Sequence, residues 1–255
     1  INWGRVMMQT VHYFYGYLQV AKEVGEPVTF SVPSGAFGNL YAGSLAREMA
    51  LPVGRFICAN NQNACLHRIF SEGQFLKEDL ISCASSAIDI VVPYNFWRFL
   101  YFTIGQDPVK VSTWVREFRE RGKVQFDHSS HQKIREGFVS YSLGDEETLA
   151  TIGSVFRESG YLLDPHGAVA VAAALHYSKK EDERVLCLCT AHPAKFPEVI
   201  QHAIGKNNRL PAAAFHPTLE RAKSLPEKVH HFTHSDLLIQ LQEAMVTHTS
   251  IPLAP

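Results

Sequence analysis

Four short apolar runs, separated by helical patterning, limit what this chain can fold into more than any other feature. Val28–Val32 (VTFSV) reads as a buried strand, Arg55–Ala59 and Phe138–Ser142 as further strands, and Arg184–Cys189 (RVLCLC) as a fully buried one. Helices are expected at 39–50, 63–72, 93–102, 108–121, 166–177, 196–204 and 235–248. Asp145 is placed to cap another, ending near Gly160, and Asp164 and Pro165 to open the helix at 166. Strand followed by helix, repeatedly, predicts an α/β fold in three layers: a largely parallel sheet with helices on both faces. Residues 1–205 are expected to form this domain, and 206–255 a peripheral irregular segment and helix of the same domain.

The chain opens on a helical pattern in which Trp3, Val6, Met7, Thr10, Val11, Phe14, Tyr17 and Leu18 are spaced to face a core. It lacks the basic start, continuous apolar stretch and cleavage site of a signal peptide, and Ile1 comes first. The expectation is a piece of a longer protein. Net charge is −1 without a basic block, so nucleic acid is not an implied partner, and no apolar run is long enough for a membrane helix. Five cysteines, an odd number with no C-x-x-C, fit buried free thiols in a reducing cytoplasm better than a disulfide framework.

Between the first strand and its helix lies Pro33-Ser34-Gly35-Ala36-Phe37-Gly38-Asn39. Such a turn gathers backbone N–H groups at the positive end of a helix, and glycine lets a ligand come close; a phosphate suits it. The alternative is two glycines kept for steric reasons alone. Ligands of parallel sheets sit at the carboxyl ends of strands, which draws attention also to Asn60–Asn63 and to Thr190–Lys195 (TAHPAK). Thr190 and His192 read equally well as turn residues. The histidines of FDHSSHQ and HHFTH lack carboxylate or thiolate company at ligand spacing, so no metal site is expected, and no G-x-S-x-G marks a serine hydrolase.

Taken in order, "VPSGAFGN", "SAIDIVVPYNFWR", "DPHGAVAV" and "TAHPAKF" resemble the signature blocks of threonine synthase, a fold-type-II pyridoxal-phosphate (PLP) enzyme family. "INWGR" resembles the family's N-S-I-N-x-x-R segment and "LPVGRFICANNQN" its L-P-V-x-x-x-I-x-A-T-N-x-N-D block, so the resemblance runs from residue 1 to about 245. It implies the large domain of a tryptophan synthase β-subunit-like fold. It implies further that Ser34, Gly35, Ala36, Phe37, Gly38 and Asn39 cradle the cofactor phosphate. Thr190 would hydrogen-bond the pyridine nitrogen, where a neutral hydroxyl, unlike a carboxylate, does not force protonation. Arg5, with Asn2 beside it, would bind the phosphate of a small phosphorylated amino acid such as O-phosphohomoserine or O-phosphothreonine. Monomer and homodimer both remain open.

Departures from the family pattern matter. Ala36 stands where the family loop usually has asparagine, Ala64 where it has aspartate, and Trp97 lies within the P-x-N-x-x-R block. Such drift points to a threonine synthase-like paralogue, of the kind that splits a phosphorylated amino acid into keto acid, ammonia and phosphate. The family's Schiff-base lysine belongs to a segment upstream of the residues present here, and Lys195 matches a different family position. The chain by itself is therefore expected to be inactive, either as part of an active enzyme or as a truncated pseudoenzyme that acts by binding a partner.

Overall fold

A computed structural model describes residues 2–178, 184–205, 209–226, 229 and 234–248. They divide into two compact units, before and after the His216–Pro217 bond. The expected division lay at 205/206. The difference arises because Leu210 and Ala214 pack with Ile152, Leu162 and Ile200 of the first unit.

The first unit contains α1 (Trp3–Val20), β1 (Val28–Pro33), α2 (Gly38–Glu48), β2 (Val53–Asn60), α3 (Cys65–Glu72) and β3 (Gln74–Leu76). There follow α4 (Phe96–Thr103), α5 (Pro108–Arg121), β4 (Lys123–Gln125), α6 (His128–Arg135), β5 (Phe138–Ser142), α7 (Asp145–Ser159), α8 (Pro165–Tyr177), β6 (Val185–Cys187) and α9 (Pro197–Ile204). The second unit contains α10 (Pro217–Lys223) and α11 (Leu237–His248). No helix among the described residues is long and apolar enough to cross a membrane.

The main sheet is parallel throughout, in the order β5–β2–β1–β6, with Phe30 opposite Phe56 and Val32 opposite Cys58. Side chains alternate across it. Phe30, Val32, Phe56 and Cys58 face a core shared with α1, α2, α3 and α4, whereas Ile57 and Ala59 face Val169, Ala172 and Ala173 of α8. Helices thus cover both faces, as the alternation of strands and helices predicts.

Three expectations are corrected. Trp3, Met7, Val11 and Leu18 of α1 do not face the core: they are 45–65% exposed, and the buried face carries Val6, Thr10, Tyr13 and Tyr17. The helix is apolar on both stripes. Tyrosine wins the inner one because its hydroxyls find partners: Tyr13 donates to Asn39, and Tyr17 accepts from the Gly25 N–H. The run Arg184–Cys189 forms a strand only over Val185–Cys187, half-buried and paired with β1 alone among the described strands. It leaves the ladder after the Leu188 N–H reaches the Ser31 carbonyl, so Cys187 is only half-buried as a residue and Cys189 is exposed. Gly144, not Asp145, caps α7; the Asp145 carboxylate instead accepts from the Ala84 N–H at 2.9 Å. The antiparallel pair β3–β4 was not anticipated, because three residues are too few to show a period.

Gly43 marks where α1 crosses α2. A Cβ there would lie 2.6 Å from the Tyr13 ring and 2.7 Å from the Phe56 ring, both fully buried. Gly43→Ala is expected to cost about 1–3 kcal/mol of stability through overpacking, outweighing the gain in helix propensity, measured as a lower urea midpoint at unchanged slope.

Candidate active site

Every residue expected to bind cofactor or substrate lines one cavity of about 480 Å³. Asn2, Arg5, Val6 and Gln9 come from one face of α1, and Pro33–Asn39 from the turn between β1 and α2. Ala87, Ile88 and Ile90 form a wall, Tyr94 and Asn95 precede α4, His166 opens α8, and Thr190 follows β6.

The turn shows why these residues are used. Phe37 has φ +64°, a left-handed conformation that a bulky residue rarely adopts. Packing holds it there: its ring lies 5.2–6.0 Å from Phe99, Phe96 and Phe70. The Phe37 side chain is thus an anchor buried in the aromatic core, and only its backbone borders the cavity. Gly35 is required by close approach, since a Cβ would lie 2.9 Å from the Ile88 Cα and 3.0 Å from its carbonyl. At Gly38 the nearest atom would be the Asn95 amide nitrogen, 3.1 Å away. Two carbonyls of the turn are taken: Ser34 accepts from Asn60 Nδ2 at 2.7 Å, and Ala36 from the Asn95 N–H and Nδ2 at 3.2 and 3.1 Å. The backbone N–H groups of Gly35 through Leu40 have no partner among the described residues. Six consecutive unpaired donors at the start of an 11-residue helix form an anion cradle, so the residues present fit a phosphate-bearing cofactor.

The remaining residues stand as follows. Arg5 is exposed, forms no ion pair among the described residues, and is the one full positive charge among the cavity-lining side chains. Asn2 caps α1, its carbonyl oxygen accepting from the Gly4 N–H at 2.8 Å. Ser34 is buried, its hydroxyl turned back to the Val32 carbonyl, so it offers shape rather than a free donor. Asn39 receives the Tyr13 hydroxyl on both its carbonyl and its side chain. Thr190 is exposed and stands three residues beyond β6, at the edge of the described sheet rather than at the end of a central strand. It still shares the cavity with the turn. Lys195 is exposed and does not line the cavity.

Sequence reasoning missed Gln9, Tyr94, Asn95 and His166 as lining residues. Gln9 is one helical turn past Arg5, a signal that was available. His166 is buried, with Nδ1 2.8 Å from Asp164 Oδ1 and Nε2 accepting the Ala87 N–H at 3.0 Å. A backbone N–H can only donate, so Nε2 carries no proton and Nδ1–H donates to Asp164. The wall is held from its other end by Asp89, which accepts from Asn61 Nδ2, Asn63 Nδ2 and the Cys83 N–H at 2.7–3.1 Å.

No cysteine is set up as a nucleophile. Burial pushes the Cys65 and Cys187 thiols up to about 12 and raises Cys58, beneath the turn, well above its usual range. No group of three or more His, Cys, Asp or Glu suited to a metal occurs among the described residues. His131 of the H-x-x-H pair spends Nε2 on the Phe70 carbonyl, and 230–233 of HHFTH lie outside the described residues.

Residues 167–242 match the family model "Threonine synthase, C-terminal". The chain is 40% identical over 235 residues to threonine synthase of Pseudomonas aeruginosa, covering 90% of this chain and 49% of that protein. It is 37% identical over 204 residues to threonine synthase-like 2 of Xenopus laevis, covering 78% and 43%. Among solved structures, PLP-bound threonine synthase from Brucella melitensis superposes with a TM-score of 0.84 at 32% identity, over 98% of this chain and 52% of that one. Yeast threonine synthase gives 0.87 at 29% identity, over 98% and 53%. The chain spans about half the length of the curated relatives it matches. Signature blocks, parallel α/β fold, glycine turn and these similarities agree: the chain belongs to the threonine synthase family of fold-type-II PLP enzymes.

Proposed function

We propose that this chain provides the phosphate- and ring-binding side of a PLP site in a threonine synthase-like enzyme acting on a phosphorylated amino acid, in the cytoplasm. The observation that carries the reading is the run of six unpaired backbone donors, Gly35–Leu40, five of which, Gly35–Asn39, belong to residues lining the cavity that Arg5 and Thr190 also line. PLP, when bound, supplies an electron sink that eases removal of a proton from the amino acid and departure of its phosphate. The turn would hold the cofactor phosphate through backbone donors and the α2 dipole. Thr190 would meet the pyridine nitrogen with a neutral hydroxyl. Arg5, unpaired and at the cavity rim, would take the phosphate of the amino acid. Ala36 leaves open the space of a family asparagine, and so favours a substrate set different from that of threonine synthase itself, including phospho-lyase substrates.

The test is binding of O-phosphohomoserine and O-phosphothreonine to the PLP-loaded chain, followed calorimetrically. Arg5→Ala is expected to weaken both about tenfold, the worth of a partly exposed arginine–phosphate pair, and to leave PLP affinity unchanged. Equal affinities with and without Arg5 would remove it from the substrate site. A second reading, a catalytically silent binding protein, is favoured by one observation: no lysine lines the cavity among the described residues.

A further inference from the structure

We propose that Asn60 and Asn95 are positioning residues that aim the N–H groups of Gly35 and Phe37 into the cavity by clamping the preceding carbonyls from behind. The inference rests on the PLP reading above for its ligand, and on peptide geometry for its substance. No peptide bond here is cis, so each N–H points opposite to the C=O of the residue before it. The Ser34 carbonyl has one partner among the described residues, Asn60 Nδ2 at 2.7 Å, and that side chain is buried to 1% exposure. Fixing that carbonyl fixes the opposite direction of the Gly35 N–H. The Ala36 carbonyl is gripped twice by Asn95, through its backbone N–H and its Nδ2, and this fixes the Phe37 N–H.

Neither amide can be reversed. A carbonyl only accepts, so the nitrogen of each side chain must face the turn. The clamps come from two different elements, the end of β2 and the entry to α4. The turn is therefore braced independently of whether an anion is present. Asn60 also stands where the sheet ladder ends: the Ser34 N–H makes the last backbone rung, to the Ala59 carbonyl, and the Asn60 side chain supplies the next bond in place of a backbone donor. A preset donor array binds an anion without first having to order the turn.

The experiment compares PLP with pyridoxal, which lacks the phosphate, on the full 255-residue chain and on Asn60→Asp and Asn95→Asp. Each substitution keeps size while replacing the clamping nitrogen by an oxygen. PLP affinity is expected to fall about tenfold or more in each, with pyridoxal affinity within about twofold, because only the charged acceptor uses the aimed donors. Asn60→Leu and Asn95→Leu, which add no charge, are expected to show the same selectivity. Parallel weakening of PLP and pyridoxal, or no weakening, overturns the proposal. Inorganic phosphate separates it from the PLP reading. Downfield shifts of the Gly35 and Phe37 amide protons with phosphate, lost in the variants, would sustain the clamp even if PLP failed to bind. Binding of neither phosphate nor PLP to the wild-type chain would overturn both.

Discussion

Replacing Gly35 by valine is expected to reduce PLP affinity more than a hundredfold while leaving the chain folded. The Cβ alone would sit 2.9–3.0 Å from the Ile88 backbone, and backbone held by the Asp89 and His166 hydrogen bonds does not give way as the end of a side chain would. The turn must move instead, which takes its donors off the anion. A hydrogen bond to a charged group is worth about 1.5–3 kcal/mol, so losing two of them accounts for that factor. Gly38→Val acts on the other side of the turn, against the Asn95 amide that holds the Ala36 carbonyl. Circular dichroism and thermal unfolding establish that the variants fold; a PLP titration followed at visible wavelengths reads the affinity. Gly35→Val binding PLP as tightly as wild type would mean that the turn does not hold the phosphate.

Phe56→Ala is expected to remove about 3–5 kcal/mol of stability, a large part of the 5–15 kcal/mol that holds a typical domain together. Phe56 is fully buried in β2 at the centre of an aromatic cluster. Its ring stacks on Phe138 at 5.2 Å, meets Tyr13 edge-on at 6.1 Å and Phe30 at 6.2 Å, and carries the Arg47 guanidinium at 5.6 Å. These partners lie on α1, β1, β5 and α2, so a cavity there loosens four elements at once. Phe56→Leu keeps most of the volume and is expected to cost much less, about 1–2 kcal/mol. Urea denaturation measures both; equal costs for the two would show that ring contacts, not volume, dominate.

The sequence was most legible where one period dominates. Val28–Val32, Phe138–Ser142 and the helix Pro108–Arg121 stand where apolar spacing and capping residues put them; Asp107 caps α5 and Asp164 caps α8 through their carboxylates. It was least legible where two readings are equally apolar. The stripes of α1 differ in which hydroxyls find partners, a property of the fold and not of spacing. RVLCLC has the composition of a central strand, yet lies half-buried at the edge of the described sheet.

The site divides in the same way. The glycine turn, Arg5 and Thr190 could be found because motif and position coincide at strand ends. Asn60 was singled out by its place at a strand end, but its role, like those of Asn95 and His166, could not be read, because these side chains hold carbonyls and walls through bonds spanning 26, 59 and 79 residues of sequence. Nothing local marks those roles. The quoted blocks did contain these residues, but as family letters rather than as contacts with a stated purpose.

The Gly35–Asn39 turn is expected to capture PLP by its phosphate, in a cavity that no lysine lines among the described residues. Borohydride reduction of the PLP-loaded 255-residue chain, followed by dialysis and mass spectrometry, tests it together with a pyridoxal control. PLP is expected to bind, pyridoxal to bind at least tenfold more weakly for want of the charged acceptor, and the reduced protein to gain no cofactor mass after dialysis. Equal affinity for the two, or stoichiometric covalent fixation of PLP on a single lysine of this chain, would contradict it.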